Sequence, residues 1–182
     1  MGGHKQIAMS DLRALAADLG LGDAQTLLQS GNLIFASAER APALALLLEQ
    51  GLAKRLDLKT TVLVRSAPQW NKIVAGNPFT EEARRDPSHL ALMLLRDKPS
   101  AAGIAALKGC IAGREHFEAR GRELYAFFPD GFARTKFSTA LIDRRLSTVV
   151  TARNWNTVLK IAGALGQPEL RQTSSPRLRV RS

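Results

Sequence analysis

The segment Thr151-Ala152-Arg153-Asn154-Trp155-Asn156-Thr157 holds the densest set of groups suited to gripping an anion. An arginine presents a planar fork that meets phosphate or carboxylate with two parallel hydrogen bonds, and Asn154 and Asn156 add donors beside it. Trp155, Val158, Leu159, Ala162 and Leu165 recur at helical spacing, which predicts a helix from Arg153 to Leu165. The polar residues then sit at a helix start, where unpaired N–H groups and the aligned peptide dipoles favour negative charge. Ser30 and Asn32, from a Ser-Gly-Asn turn, are candidates for the same site, as is Lys136; Arg134, Arg144 and Arg145 add cations that the sequence does not place. The plainer reading uses the same residues as a cap and a buttress: Thr151 or Asn154 closes the helix and Trp155 packs.

A second candidate is aromatic. Tyr125 and Phe127 fall on one face of a short strand, with Leu124, Ala126 and Phe128 on the other. An open sheet face bearing two rings is how RNA-recognition motifs stack bases. The Arg/Lys-Gly-Phe-like signature of those motifs is absent, and two halves packed sheet against sheet would bury the rings instead.

Other chemistry finds little support. His4, His89, His116 and Cys110 are scattered, without Cys-x-x-Cys or His-Glu-x-x-His spacing, so neither a metal nor a cofactor is expected. His116-Phe117-Glu118 resembles one arm of a zinc deaminase, without the cysteine arm. There is no Gly-x-Ser-x-Gly elbow, and Gly20-Leu21-Gly22 follows a helix where a dinucleotide fingerprint follows a strand. No catalytic residue is assigned, and the reading leans away from an enzyme.

The elements that must position these groups read as α+β. Ser10 is placed to cap a helix to Leu19, with Leu12, Leu15, Ala16 and Leu19 on one stripe. Two short strands flank Ser30-Gly31-Asn32. Pro42 opens a helix to about Leu56, in which Gly51 marks a possible break. Thr60–Arg65 is β-branched and reads as a strand. Pro68 opens a short helix ended by Gly76-Asn77-Pro78-Phe79, and the polar stretch 81–88 reads as a linker. Beyond it come a buried strand at 89–95, a helix at 99–107, a hairpin about Gly121, a helix at 136–146, a short extended piece at Val149-Val150 and the last helix. Residues 167–182 carry Pro, Ser and Arg without periodicity and read as a disordered tail.

The predicted fold is therefore two ferredoxin-like halves of βαββα type, 1–80 and 89–166, the first without its opening strand. That strand is central in the topology, so either a misplaced start has shortened the chain or the reading of the first half is wrong.

Several segments carry a family resemblance: Gly2-Gly3-His4-Lys5, Leu28-Gln29-Ser30-Gly31-Asn32-Leu33-Ile34-Phe35, Gly76-Asn77-Pro78-Phe79, Glu123-Leu124-Tyr125 and Arg153-Asn154-Trp155-Asn156-Thr157-Val158-Leu159-Lys160. In this order, from Gly2 to about Leu165, they resemble the bacterial domain of unknown function 1697 family. The resemblance implies two ferredoxin-like halves and no established activity. Family members usually begin with an apolar strand and a loop arginine, both absent ahead of Met1.

Composition sets the partners. The formal net charge is +10, with Arg171, Arg177, Arg179 and Arg181 near the C-terminus and no acid after Glu169. Such a surface attracts nucleic acid or acidic partners over a Debye length of about 8–10 Å. No apolar run approaches the ~20 residues of a membrane helix, and one cysteine cannot form an intrachain disulfide. A bacterial cytoplasmic protein is expected. Three functions follow: a non-enzymatic nucleic-acid-associated or interaction module, a site for a small phosphate- or carboxylate-bearing ligand at the last helix, or a homo-oligomer formed through an exposed sheet edge.

Overall fold

The computed structural model describes residues 7–28, 31–133 and 135–166. The first half comprises α1 (Met9–Asp18), β1 (Gly22–Leu27), β2 (Asn32–Ala36), α2 (Ala41–Leu56) and α3 (Ala67–Ala75). A short α4 (Thr80–Arg85) and a 3-10 turn (Pro87–His89) lead to β3 (Leu90–Leu95). Then follow α5 (Ala101–Lys108), β4 (His116–Arg120), β5 (Glu123–Phe127), α6 (Thr139–Leu146), β6 (Val150–Asn154) and α7 (Trp155–Gly166). The architecture is α+β.

Local chemistry explains most boundaries. Ser66 and Gln69 form a reciprocal capping box on α3, with Pro68 in its first turn. Ser100 Oγ accepts from the Gly103 N–H and Ser138 Oγ from the Leu141 N–H, starting α5 and α6. At α1 the expected cap is displaced: the helix begins at Met9, and Ala8 precedes it without a side-chain bond. Helix α2 runs through Gly51 unbroken. A Cβ at Gly51 would lie 2.9 Å from Leu15 Cδ1, so the missing side chain lets α1 and α2 approach.

The second half builds a four-stranded antiparallel sheet in the order β4-β5-β3-β6. This is the ferredoxin-like order, with the first strand of the half inside. All six residues of β3 are buried, because helices cover both faces of the sheet. On one face Met93, Leu95, Phe117, Leu124 and Val150 pack with Leu107 of α5 and Ile142 of α6. On the other, Leu90, Leu92, Leu94 and Tyr125 pack with Trp70 and Ile73 of α3 and with Trp155, Val158 and Ile161 of α7. A fully buried aliphatic side chain stabilises by about 1.5–3 kcal/mol, which makes β3 the densest contributor.

The first half differs. Among the described residues its sheet has two strands, β1 and β2, and the expected strand Thr60–Arg65 joins no ladder. Leu33, Phe35, Val62 and Val64 pack beneath α1 and α2, while Ile34 and Leu63 enter the cluster under α3 and α7. The two halves therefore share one cluster. The expected linker 81–88 is helical over α4, and Ala83 packs into that shared cluster.

Candidate functional site

The ladder between β6 and β3 runs to the end of β6, pairing Leu92 with Arg153 and Ala91 with Asn154. Arg153 and Asn154 therefore lie on a strand, and the last helix starts at Trp155, which corrects the helix-start placement. Pairing with a buried strand outweighs the helical spacing here. Arg153 Nε donates to Asn32 Oδ1 at 2.5 Å, and its Nη1 donates to Thr151 Oγ1 at 2.7 Å and to the Ala152 carbonyl at 2.8 Å. Asn32 Nδ2 donates to the Leu27 carbonyl at 3.1 Å. Burial holds the Arg153 pKa below the usual guanidinium value.

Arg153 and Asn32 thus meet, as the sequence suggests, but as a tie between β6 and the β1–β2 hairpin. Ser30 and Arg134 lie outside the described residues. Asn154 Oδ1 accepts from the Asn156 N–H at 3.0 Å, and its Nδ2 donates to the Ser88 carbonyl at 2.7 Å. That first bond is the geometry of a helix cap. The Asn32, Arg153 and Asn154 side chains buttress a corner, while Asn156 gives its backbone N–H and leaves its side chain exposed.

Tyr125 is 2% exposed, and its hydroxyl donates to the Ile73 carbonyl at 2.8 Å. Burial first, then the nearby Glu123 carboxylate, raises its pKa to about 12, against the pull of Arg120. Phe127 packs into the same cluster and tilts against the His116 ring. The expectation of an open, base-stacking face is corrected: α3 and α7 cover it.

Lys136 lies elsewhere. Val150 and Ala152 of β6 face α5 and α6, so Thr151 and Arg153 face the other way, and Lys136 lines a cleft at the α5–α6 layer. The sheet separates Lys136 from Arg153. The cleft is shallow and open to solvent, with a volume of about 510 Å³, and is lined by Cys110, Lys136, Ser138, Leu141, Arg144 and Arg145, with Gly109 and Ala140. Three cations and no carboxylate line it, and all three cations are exposed. Arg144 and Arg145 also occupy the last turn of α6, where positive charge complements the helix dipole. The cations were visible in the sequence, whereas their convergence on the end of α5 depends on packing.

One polar contact had no signal in the sequence. Arg65 is 5% exposed in its side chain and pairs with Glu123, which is 15% exposed, at 3.3 Å. Its Nη2 also donates to the Leu95 carbonyl at 3.1 Å, fastening the first half to β3. Burial and then Arg122 lower the Arg65 pKa, and Glu123 raises it in part. Among the described residues no group of three His, Cys, Asp or Glu side chains is placed to hold a metal, and no helix is long and apolar enough to cross a membrane.

The family described as "Protein of unknown function (DUF1697)" matches residues 1–125. The chain belongs to the DUF1697 family. The matched span covers the first half and reaches β5, so Arg153 and the cleft cations lie beyond it. No curated protein matches this DUF1697 chain. Among solved structures, the conserved bacterial protein SP0830 from Streptococcus pneumoniae is similar, with a TM-score of 0.67 at 20% identity over 91% of this chain and 92% of that one. At that identity the likeness concerns the fold.

Proposed function

We propose that this DUF1697 chain is a non-enzymatic binding module that holds the phosphate backbone of a nucleic acid at the α5–α6 cleft. The observation that carries this reading is the convergence of Lys136, Arg144 and Arg145 on one cleft without a lining carboxylate. Its chemistry is that of phosphate contacts, which position a polyanion and carry no base preference. The net charge of +10 adds long-range attraction. Stacking on Tyr125 has no part in it, since that ring is buried.

The test is fluorescence anisotropy of single- and double-stranded oligonucleotides over a salt series. Each phosphate neutralised on a duplex contributes a slope of about −0.9 in log K against log salt, so three cleft cations give roughly −2 to −3. Lys136→Glu with Arg144→Glu and Arg145→Glu should abolish binding. Changing Arg171, Arg177, Arg179 and Arg181 to Gln should only weaken it. Wild-type affinity in the triple cleft variant, or loss confined to the four-arginine variant, would sink the proposal.

A further inference from the structure

A second shallow cleft lies beside the first. It has a volume of about 430 Å³ and is lined by the turn Phe128–Gly131, by Gly113 and Glu115 ahead of β4, and by Thr135. Thr135 lines this cleft, and the next residue, Lys136, lines the cationic one. Neighbouring Cα atoms stand about 3.8 Å apart, so the two clefts share a wall. Thr135 fixes that wall: its hydroxyl donates to the Glu115 carboxylate and accepts from the Phe137 N–H at 2.9 Å.

The two clefts sort charge. The first presents Lys136, Arg144 and Arg145, and the second presents Glu115 and Asp130. Hydrogen bonds, from Thr135 first, hold the Glu115 carboxyl below its usual range, so it is ionised at neutral pH. A Cβ at Gly113 would run into that carboxylate, which therefore lies folded against bare backbone. Asp130 is exposed and pairs with Arg114 at 3.3 Å. An ionised carboxylate carries about four lone-pair sites, so Asp130 has capacity for further donors. A phosphate is drawn to the first cleft and repelled from the second, where an uncharged donor group is suited. Beside this second cleft stands Phe132. It is 42% exposed, while Phe128, whose ring centroid lies 4.7 Å away, is 2% exposed and steadies it. Four residues of chain, at most about 14 Å, separate Phe132 from Lys136.

We propose that the nucleic acid is single-stranded and that the second cleft takes one of its bases, a guanine, against the Phe132 ring; this rests on the phosphate site described above. A single strand offers unstacked bases, which proteins hold by stacking on aromatic rings and by bonding to their pairing edges. A duplex keeps its bases stacked and paired inside, beyond the reach of a ring on a loop. Guanine sets two donors, N1–H and the N2 amino group, side by side on its pairing edge, which matches the two oxygens of the Asp130 carboxylate. Thymine places one N–H between two carbonyls, and the carboxylates disfavour those. The base and its own phosphate then occupy adjacent clefts of opposite charge.

The probes are fluorescent nonamers titrated into the full chain at one low salt concentration: oligo-dT, the same strand with a central dG, the same with a central deoxyinosine, and the dG strand annealed to its complement. The dG strand should bind about tenfold more tightly than oligo-dT or the duplex, and inosine, which lacks the N2 amino group, should give up most of that gain. Phe132→Ala should weaken binding of the dG strand about tenfold. Asp130→Asn should bring the dG strand to the affinity of oligo-dT. Both side chains are exposed, and the inosine comparison needs no variant at all. Equal affinity for the dG strand, oligo-dT and the duplex would overturn the inference, as would wild-type binding in Phe132→Ala. If the charge reversals at Lys136, Arg144 and Arg145 still abolish binding in that event, the phosphate site stands without a base site. Absence of binding by every strand overturns both.

Discussion

The halves of this protein carry the same order of helices, hairpin and extended segment, yet among the described residues only the second lays a strand between its hairpin and its extended segment. There β3 satisfies the edges of β5 and β6, and both faces are sealed by helices. In the first half a similar segment, Thr60–Arg65, is held among the described residues through two apolar clusters, the Val62 N–H donated to the Glu49 carboxylate and the Arg65–Glu123 pair. Apolar alternation is thus enough to place a strand-like segment, while a ladder needs a neighbour on its edge. Stability should accordingly be unequal across the molecule, as is common for local unfolding.

The strongest test of that inequality is a pair of truncations. Leu92→Ala, at a fully buried position in β3, should cost about 4 kcal/mol in urea unfolding, whereas Leu63→Ala, half-buried, should cost about 1 kcal/mol. Equal losses would break the comparison. Next, Arg65→Ala leaves Glu123 without its partner and should cost about 3 kcal/mol. The double variant Arg65→Met with Glu123→Leu should recover most of that loss, and failure to recover would show that the Leu95 carbonyl bond matters more.

A smaller effect belongs to Tyr125. Tyr125→Phe leaves the Ile73 carbonyl without its donor and should cost about 1 kcal/mol. The phenol titrates higher in the folded chain, so its contribution is complete below pH ~10, the unfolded value, and is lost as pH rises through about 12. This is the sequence's only tyrosine, so absorbance of the phenolate reports it directly, and appearance near pH 10 in the folded chain would contradict the burial. The smallest effect is at Asp97, whose carboxyl is held below the usual range first by Arg96 and then by Thr148. Its contribution is present above the unfolded carboxylate value, ~3.9, and fades as pH falls through the lower folded value. Asp97→Asn should flatten the acid limb of a stability–pH curve.

Much of this arrangement was legible in the sequence. The Leu12, Leu15 and Ala16 stripe, the buried run at Leu90–Leu95 and the hairpin about Gly121 each carry a local period or a turn signal. The lapses have a common cause. Arg153 and Asn154 fit a helical pattern, but β3 offers them a ladder with Leu92 and Ala91, far away in the chain. Tyr125 and Phe127 alternate as on an open face, yet α3, from the other half, covers them. At the anion site, residue types were readable and partners were not. Nothing local says that Arg153 turns to Asn32, or that Lys136 joins Arg144 and Arg145 at the end of α5.

Trp70 and Trp155 are the chain's two tryptophans, and both are buried in the cluster shared by the halves. Trp70 also donates its indole N–H to the Val158 carbonyl at 3.2 Å, joining α3 to α7. Intrinsic fluorescence therefore views the seam and is nearly blind to the layer of α1 and α2. A red shift on denaturation marks separation of the halves, and if helical circular dichroism is lost before that shift, the α1–α2 layer has loosened first. The native sequence thus carries a built-in gauge of cooperativity between its two parts, with no label attached.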